Sequence, residues 1–436
     1  MRKKIEKYLG WCVRKTLERD KPKVLVIAGS VGKTSARYAL SLAMSHSKND
    51  SEMFRASQKN YNNELGVPLS VFACDMPGRS VLKWLKLTYS ATSHALGWRR
   101  LDFKWLILEI AADHPGDLGY LLDMLKPSMA IMTSMGAEHT EFFGSEEAAI
   151  EEERSVLRAL PEDGEALLNA DDVATWESRS LTKAEVIGYG KSEEATVRIR
   201  SLEIVYDFSH PESSGLDVEF EILRNHVKTI RLSGVFGEPH AYAVAAAITV
   251  LLSLDHGLEV AMDYIQANYS GMPGRTRLIP GIKRTMLLDD SYNAQPQAMA
   301  SAIRDLVRFP VTAEGRRIAV LGDMLELGDL TQAEHEKIGK QVAESGVDIL
   351  VTCGKIGRAI GESASVAGMS ADKIYMFDAS PEAGLFLQQE IIKPGDAILI
   401  KGSQGIRMEK ITKELMADPL RASELLVRQS EEWLAR

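Results

Sequence analysis

The sequence predicts an α/β protein with two parts. A central P-loop domain has a mostly parallel sheet and a small antiparallel insert, and a Rossmann-like α/β domain follows it. Three observations carry this. Short apolar runs alternate with helical patterns along most of the chain, as a parallel sheet with crossover helices requires. One such run, Val24 to Ala28, leads directly into a glycine-rich turn and then a helical pattern. At 436 residues the chain is also long for a single hydrophobic core.

Residues 1–22 form a basic N-terminal helix, with Arg2, Lys3, Lys4, Lys7, Arg14, Lys15, Arg19 and Lys21 against Glu6, Glu18 and Asp20. Ile5, Leu9, Cys12, Val13 and Leu17 recur near helical spacing. Such a helix can lie weakly on an anionic membrane surface, but a helix docked on the first domain with a solvated charged face is the favoured expectation. The central domain is assigned to 23–272, with strands at Lys23–Gly29, Trp105–Ile110, Met129–Thr133 and Ala166–Asn169. Residues 195 to 234 alternate apolar and polar positions, the pattern of a small antiparallel insert. Pro239 to Leu252 reads as a buried, alanine-rich helix. Glycine and proline cluster at Gly271–Gly274, which places a boundary there. The C-terminal domain, 273–436, repeats the strand and helix alternation, with strands at Met286–Asp290, Arg317–Leu321, Asp348–Thr352 and Ala397–Lys401.

Composition narrows the class. The net charge of −9 argues against general nucleic-acid binding. Three scattered cysteines give neither a disulfide framework nor a zinc pattern and suit a reducing compartment. No run is long enough for a membrane span and no signal peptide is visible, so a cytoplasmic location is expected.

The chemistry begins at Gly29, Ser30, Val31, Gly32, Lys33, Thr34 and Ser35, the short Gly-x-x-Gly-Lys-Thr form of a phosphate loop. Backbone N–H groups in such a loop, backed by a helix N-terminus, favour bound phosphate. Lys33 adds a point charge at the outer phosphates, and Thr34 offers a hydroxyl to Mg²⁺. Glu109 ends an apolar strand, where carboxylates of open α/β sheets face the ligand crevice. His139 follows another strand, so Thr34, Glu109 and His139 can meet around one metal ion. The stretch KNYNNELGVPL places Asn60, Asn62 and Asn63 near this loop. They suit either a turn or contacts to substrate oxygens. Later come PGR with Arg275, DDSYNAQP with Asp290 and Asn293, GDMLELGD with Asp323 and Glu326, then His335, and KGSQGIRMEK beginning at Lys401.

Together these segments resemble the Mur ligase family, which joins amino acids or peptides to peptidoglycan precursors using ATP. The likeness is closest to its MurF-type, D-alanyl-D-alanine-adding branch. GSVGKTS, NYNNELGVPL, LEIAADHPGDL, GAEHTEFFGS, LNADD, PGR, DDSYNAQPQAM, VLGDMLELGD and KGSQGIRMEK run in the family order over residues 24 to 411.

The resemblance implies an ATP- and Mg²⁺-dependent amide ligase working through an acyl phosphate. Its partners would be a peptidoglycan-precursor peptide and D-Ala-D-Ala or a similar amine, with no nucleic acid and a monomeric state. Lys33 and Thr34 would hold phosphates and the first metal ion. Glu109 and His139 match the family's metal-binding positions, and Arg275, Asp290 and Asn293 match its ATP contacts. Asp323, Glu326, His335 and Lys401 lie in segments that face the substrates, together with the asparagines.

Three departures stand out. Only about 22 residues precede the first strand, so the family's N-terminal uridine-nucleotide domain has no counterpart in the sequence and the carrier end of the acceptor is left open. Glu153 falls where many members carry a carbamylated lysine supporting a second Mg²⁺. His240 is retained before the alanine-rich helix, but Val244 replaces an asparagine associated with adenine. Two other readings remain open: a related ligase with a different amino-acid, polyglutamate or pseudomurein acceptor, and a non-catalytic ATP-binding scaffold.

Overall fold

The computed structural model describes residues 2–45, 53–57, 61–78, 80–136, 140–207, 210 and 213–434. The chain divides into two compact units. The first comprises 1–200, 219–228 and 242–268, and the second 201–218, 229–241 and 269–436.

The first unit is organised on β1 (Lys23–Ala28), which is buried at every position but its first. Such a run suits a strand covered on both faces. Helix α1 (Arg2–Asp20) precedes it, and α2 (Lys33–Ser45) follows it directly. Next come β2 (Phe54–Ala56), α3 (Gly66–Val71), α4 (Val81–Ala95), β3 (Trp105–Glu109), α5 (Asp117–Leu125) and β4 (Met129–Met132). The series continues with α6 (Thr140–Phe143), α7 (Glu146–Arg158), β5 (Glu165–Asn169), α8 (Val173–Glu177) and β6 (Glu185–Gly190). Strands β7 (Val197–Val205), β8 (Gly215–Ile222) and β9 (His226–Ser233), whose residues 201–205, 215–218 and 229–233 are counted with the second unit, bring the sheet to nine strands in the order β2-β3-β1-β4-β5-β6-β7-β8-β9. β2 to β7 pair in parallel through β1. Only residues 223–225 join β8 to β9, a connection too short for anything but antiparallel neighbours.

Sheet order decides where a ligand can sit. β1 has β3 on one side and β4 on the other, and the chain leaves β1 in one direction before returning on the other side. In open α/β sheets the crevice forms beyond the strand carboxyl ends at such a reversal. Here those ends are Ala28, Glu109 and Met132.

One face of the sheet carries Val24, Val26, Leu106, Leu108, Ala130 and Met132. Leu9, Cys12, Val13 and Leu17 of α1, Leu87 and Ala91 of α4, and Leu118 and Leu121 of α5 belong to the same core. The apolar stripe of α1 is therefore consumed inside the unit, while Lys3, Lys4, Lys7, Arg14 and Lys15 are exposed. Helices α9 (Glu238–Ser253) and α10 (Leu258–Asn268) follow the sheet, and α10 packs on α2.

The second unit holds β10 (Arg277–Pro280), β11 (Met286–Asp290), α11 (Pro296–Arg308), β12 (Arg317–Gly322), α12 (Thr331–Ser345), β13 (Ile349–Cys353), β14 (Ile374–Phe377) and β15 (Ala397–Lys401). Their order is β10-β11-β15-β12-β13-β14, with only β10 antiparallel to its neighbour. Two cores cover the faces. Leu288, Leu321, Leu350 and Leu399 lie in one, and Leu287, Val320, Val351 and Ile398 in the other. β15 lies between β11 and β12, which brings Asp290, Lys401 and Gly322 to one edge of the sheet.

Candidate functional site

In the first unit the loop after β1 is fastened to the segment after β4. Ser30 N–H donates to Ser134 O at 2.6 Å, Val31 N–H to Ser134 Oγ at 3.3 Å, and Thr133 N–H to Ala28 O at 3.0 Å. Gly29 has φ of 115°, and a Cβ there would stand 2.8 Å from Ser134 O, so the close approach of the two segments requires glycine. Gly32 has φ of 96° and opens α2, whose first residue is Lys33. The Lys33 ammonium folds back on the loop, donating to Gly29 O and, at 3.1 Å, to Ser30 O.

Thr34 Oγ1 donates to Glu109 Oε2 at 3.0 Å, so the helix start and the end of β3 meet as the topology requires. The other oxygen, Oε1, accepts from Arg37 Nε at 2.5 Å. Arg37 is one helical turn beyond Thr34 and also donates to Ser57 O. Both Arg37 and Glu109 are buried. Arg37 lies beyond the GSVGKTS segment and carries no motif of its own. Its one signal is position: it stands on the face of α2 that follows the phosphate loop.

Helix α7 separates three consecutive glutamates. Successive residues project about 100° apart, so each faces a different neighbour. Glu151 pairs with Arg154 and Arg158 at the surface. Glu152 accepts from the N–H groups of Gly116 and Leu118 at the start of α5. Glu153 turns to the phosphate loop, where Ser30 Oγ donates to its Oε1 at 3.3 Å and to Gly136 O at 3.2 Å. Glu153 lines one cleft with Gly29, Lys33, Ala111, Leu118 and Phe143.

Of the asparagines, Asn63 Oδ1 accepts from Gly66 N–H at 3.0 Å, and Asn62 O accepts from Ala111 N–H at 3.2 Å. The Asn63 side chain thus serves the turn into α3. Asn60 and His139 lie outside the described residues. Among the described residues no three His, Cys, Asp or Glu side chains form a metal-ligating group. The available donors here are oxygens: the Thr34 hydroxyl with Glu109, and the Ser30 hydroxyl with Glu153. That set fits a hard cation completed by phosphate oxygens and water.

The second unit has its own polar cluster. Lys401 Nζ donates to Asp290 Oδ2 at 2.5 Å and to Asn293 O at 3.1 Å, and Asp290 Oδ1 accepts from Thr276 N–H at 3.2 Å. Lys401 is thereby buried as the fastener of the DDSYNA loop. Arg275 stacks over Tyr292 at 4.3 Å, while Asn293 and Glu326 are exposed. His335 is fully buried: Met324 N–H donates to its Nε2 at 2.9 Å, and its Nδ1 bonds Thr331 O at 2.7 Å. With both ring nitrogens used, His335 holds the GDMLELGD loop from beneath, and burial lowers its pKa. Asp323 accepts from Gly357 N–H at 2.6 Å, and burial raises its pKa. His240 is the counterpart support for PGR, bonding Tyr269 and Thr276. Burial pushes its pKa down to about 4.

Two family models match in sequence order: the Mur ligase middle domain over residues 88–251 and the Mur ligase glutamate ligase domain over 274–404. The chain belongs to the Mur ligase family. It is 28% identical over 399 residues to the UDP-N-acetylmuramoyl-tripeptide–D-alanyl-D-alanine ligase of Escherichia coli K12, covering 90% of this chain and 76% of that one. The enzyme of the same name from Mycobacterium bovis is 27% identical over 410 residues, covering 91% of this chain and 73% of that one. Among solved structures, MurF ligase of Thermotoga maritima in complex with ADP superposes with a TM-score of 0.75 at 23% identity, covering 94% of this chain and 83% of that one. Among the described residues of this Mur ligase, no helix is long and apolar enough to cross a membrane.

Proposed function

We propose that this Mur ligase forms an amide bond between D-alanyl-D-alanine and the terminal carboxylate of a muramoyl-tripeptide, with ATP as the energy source. The observation that carries the reading is the meeting of Thr34 and Glu109 at the mouth of a phosphate loop, with Glu153 fastened to Ser30 of the same loop. The names of the relatives supply the acceptor and the amine.

The acceptor carboxylate attacks the γ-phosphorus of ATP, the β–γ bridging oxygen leaves with ADP, and an acyl phosphate results. The dipeptide amine then attacks the acyl carbon, and the tetrahedral intermediate expels inorganic phosphate as the nitrogen loses a proton. The protein's part in such a transfer is positioning and charge. The N–H groups of residues 29–34 and the Lys33 ammonium would hold the β- and γ-phosphates. Thr34, Glu109, His139 and Glu153 would hold Mg²⁺, which supplies charge neutralisation and Lewis-acid polarisation of the phosphoryl oxygens when bound. Arg37 orients Glu109 by occupying its second oxygen. Arg275, Asp290 and Asn293 are assigned to the nucleotide by family resemblance, and Glu326 to the substrate side. A cytoplasmic location follows from ATP as co-substrate.

The test is ADP formation with each substrate alone and with both together. Release that requires both the tripeptide acceptor and D-Ala-D-Ala supports the reading. Release that ignores the amine, or none at all with nucleotide bound, overturns it in favour of another acceptor or a scaffold.

A further inference from the structure

Helix α4 packs Leu87 and Ala91 into the first unit's core and leaves a second apolar stripe outside. Val81, Leu82, Leu85 and Tyr89 are 71%, 78%, 61% and 60% exposed, and Leu96 just beyond the helix is 53% exposed. At 100° per residue these positions fall within one 100° arc of the helix, on the side away from Leu87 and Ala91. Helix α1 lies alongside, and Tyr8 OH bonds Thr92 Oγ1 at 2.7 Å. Tyr8 stacks on Trp11, and both are exposed, as is Trp98 after α4.

The charge around the stripe is mostly basic, with Asp75, Asp102 and Glu6 the acidic residues that border it. From Met76 to Leu101 the sequence has no Asp or Glu, in a chain of net charge −9. Lys86 borders the stripe on α4 and Lys83 is exposed further round the helix, Arg99 lies over the Tyr89 ring at 5.8 Å, and Lys4 and Lys7 are exposed on α1. A net-basic rim around apolar and amphipathic aromatic side chains complements an anionic bilayer surface: the apolar groups enter the headgroup boundary, Trp and Tyr settle at it, and the cations meet phosphates. A symmetric contact with a second copy would instead oppose two basic rims.

We infer that the outer face of α4, with Tyr8 and Trp11 of α1, docks this protein peripherally on an anionic lipid surface. The apolar side of α1 itself takes no part, because Leu9, Cys12, Val13 and Leu17 are buried. This inference does not depend on which acceptor the ligase uses.

The experiment is co-sedimentation of the full chain with vesicles of phosphatidylcholine alone and with vesicles containing roughly one-third phosphatidylglycerol, read together with the tryptophan emission spectrum. Binding to the anionic vesicles at least tenfold stronger than to the neutral ones, with a blue shift, is expected. The triple variant Leu82→Ser, Leu85→Ser, Tyr89→Ser should lose binding at least tenfold with unchanged Tm and ATP turnover. Lys83→Glu with Lys86→Glu should lose it comparably, and so should added salt. Equal binding to both vesicle types, no binding, or binding unaffected by the triple variant overturns the proposal. Concentration-dependent dimerisation that the triple variant abolishes, without vesicle binding, would assign the face to a second copy instead.

Discussion

At the scale of single residues, the site's least obvious member is Arg37. Its ion pair with Glu109 is buried on both sides, so removing the guanidinium strands a carboxylate away from water. Breaking a buried pair from one side costs about 3–5 kcal/mol. Arg37→Ala should therefore lower unfolding free energy by that order in denaturant titrations, and Arg37→Lys by less. An alanine variant of wild-type stability would show that Glu109 needs no partner. Glu153 is separable from its neighbours because each faces elsewhere. Glu153→Gln should keep the fold, raise the Mg²⁺ concentration needed for ADP formation, and leave activity indifferent to bicarbonate. A wild-type magnesium titration would remove Glu153 from the metal site. The phosphate loop could be read from sequence because one short stretch carries all its chemistry. Arg37 could not, since its partner lies 72 residues away on another strand. Nor could sequence distinguish His335 as a buried support from His335 as a substrate contact: only the two occupied ring nitrogens do that.

At the scale of elements, the long apolar strands were legible and the short or irregular ones were not. Buried β1, β3, β4, β11 and β15 announce themselves as continuous apolar runs. β2 is three residues long, and β6 contains two glycines, so neither gives a pattern strong enough to read. Sequence also leaves hidden where helices bury charge. Asp305 of α11 is 2% exposed beside Gly237, at the start of α9, and its Oδ2 finds no hydrogen-bond partner among the described residues. Burial pushes its pKa from 3.8 up to about 7. The folded state then holds a proton that the unfolded chain releases between those pH values, so this group's stabilisation is complete below pH 3.8 and is lost as pH rises through 7. His240 has the opposite sign. Its pKa falls from 6.5 to about 4, and its contribution is present above 6.5 and lost on acidification towards 4. Asp305→Asn should thus gain little stability at pH 4 and on the order of 4 kcal/mol at pH 8, by urea titration at both. A gain independent of pH would mean that the carboxyl is not held protonated.

At the scale of the whole molecule, each unit encloses its own core. Leu9 to Ala184 contribute to the first, and residues from Phe236 onward form the two cores of the second. Separate cores favour separate cooperative transitions. Calorimetry of the free protein should resolve two, and ADP should raise the one that belongs to the first unit, because Lys33, Thr34 and the loop N–H groups belong to it. At a hundredfold excess over Kd the rise corresponds to about 2.7 kcal/mol. Lys33→Ala tests the assignment from both directions. The side chain sits on a loop-to-helix junction and is bonded to loop carbonyls, so its loss should leave both transitions of the free protein nearly where they were. It should also abolish most of the ADP-induced rise and lower turnover on the order of a thousandfold, as expected when a strong electrostatic contact to the transferred group is removed. If the variant retains the ADP shift and loses turnover, Lys33 acts only on the transferring phosphoryl group. If it retains both, the phosphate loop is not the site of chemistry. A single transition that ADP moves as a whole would show that the two cores unfold as one.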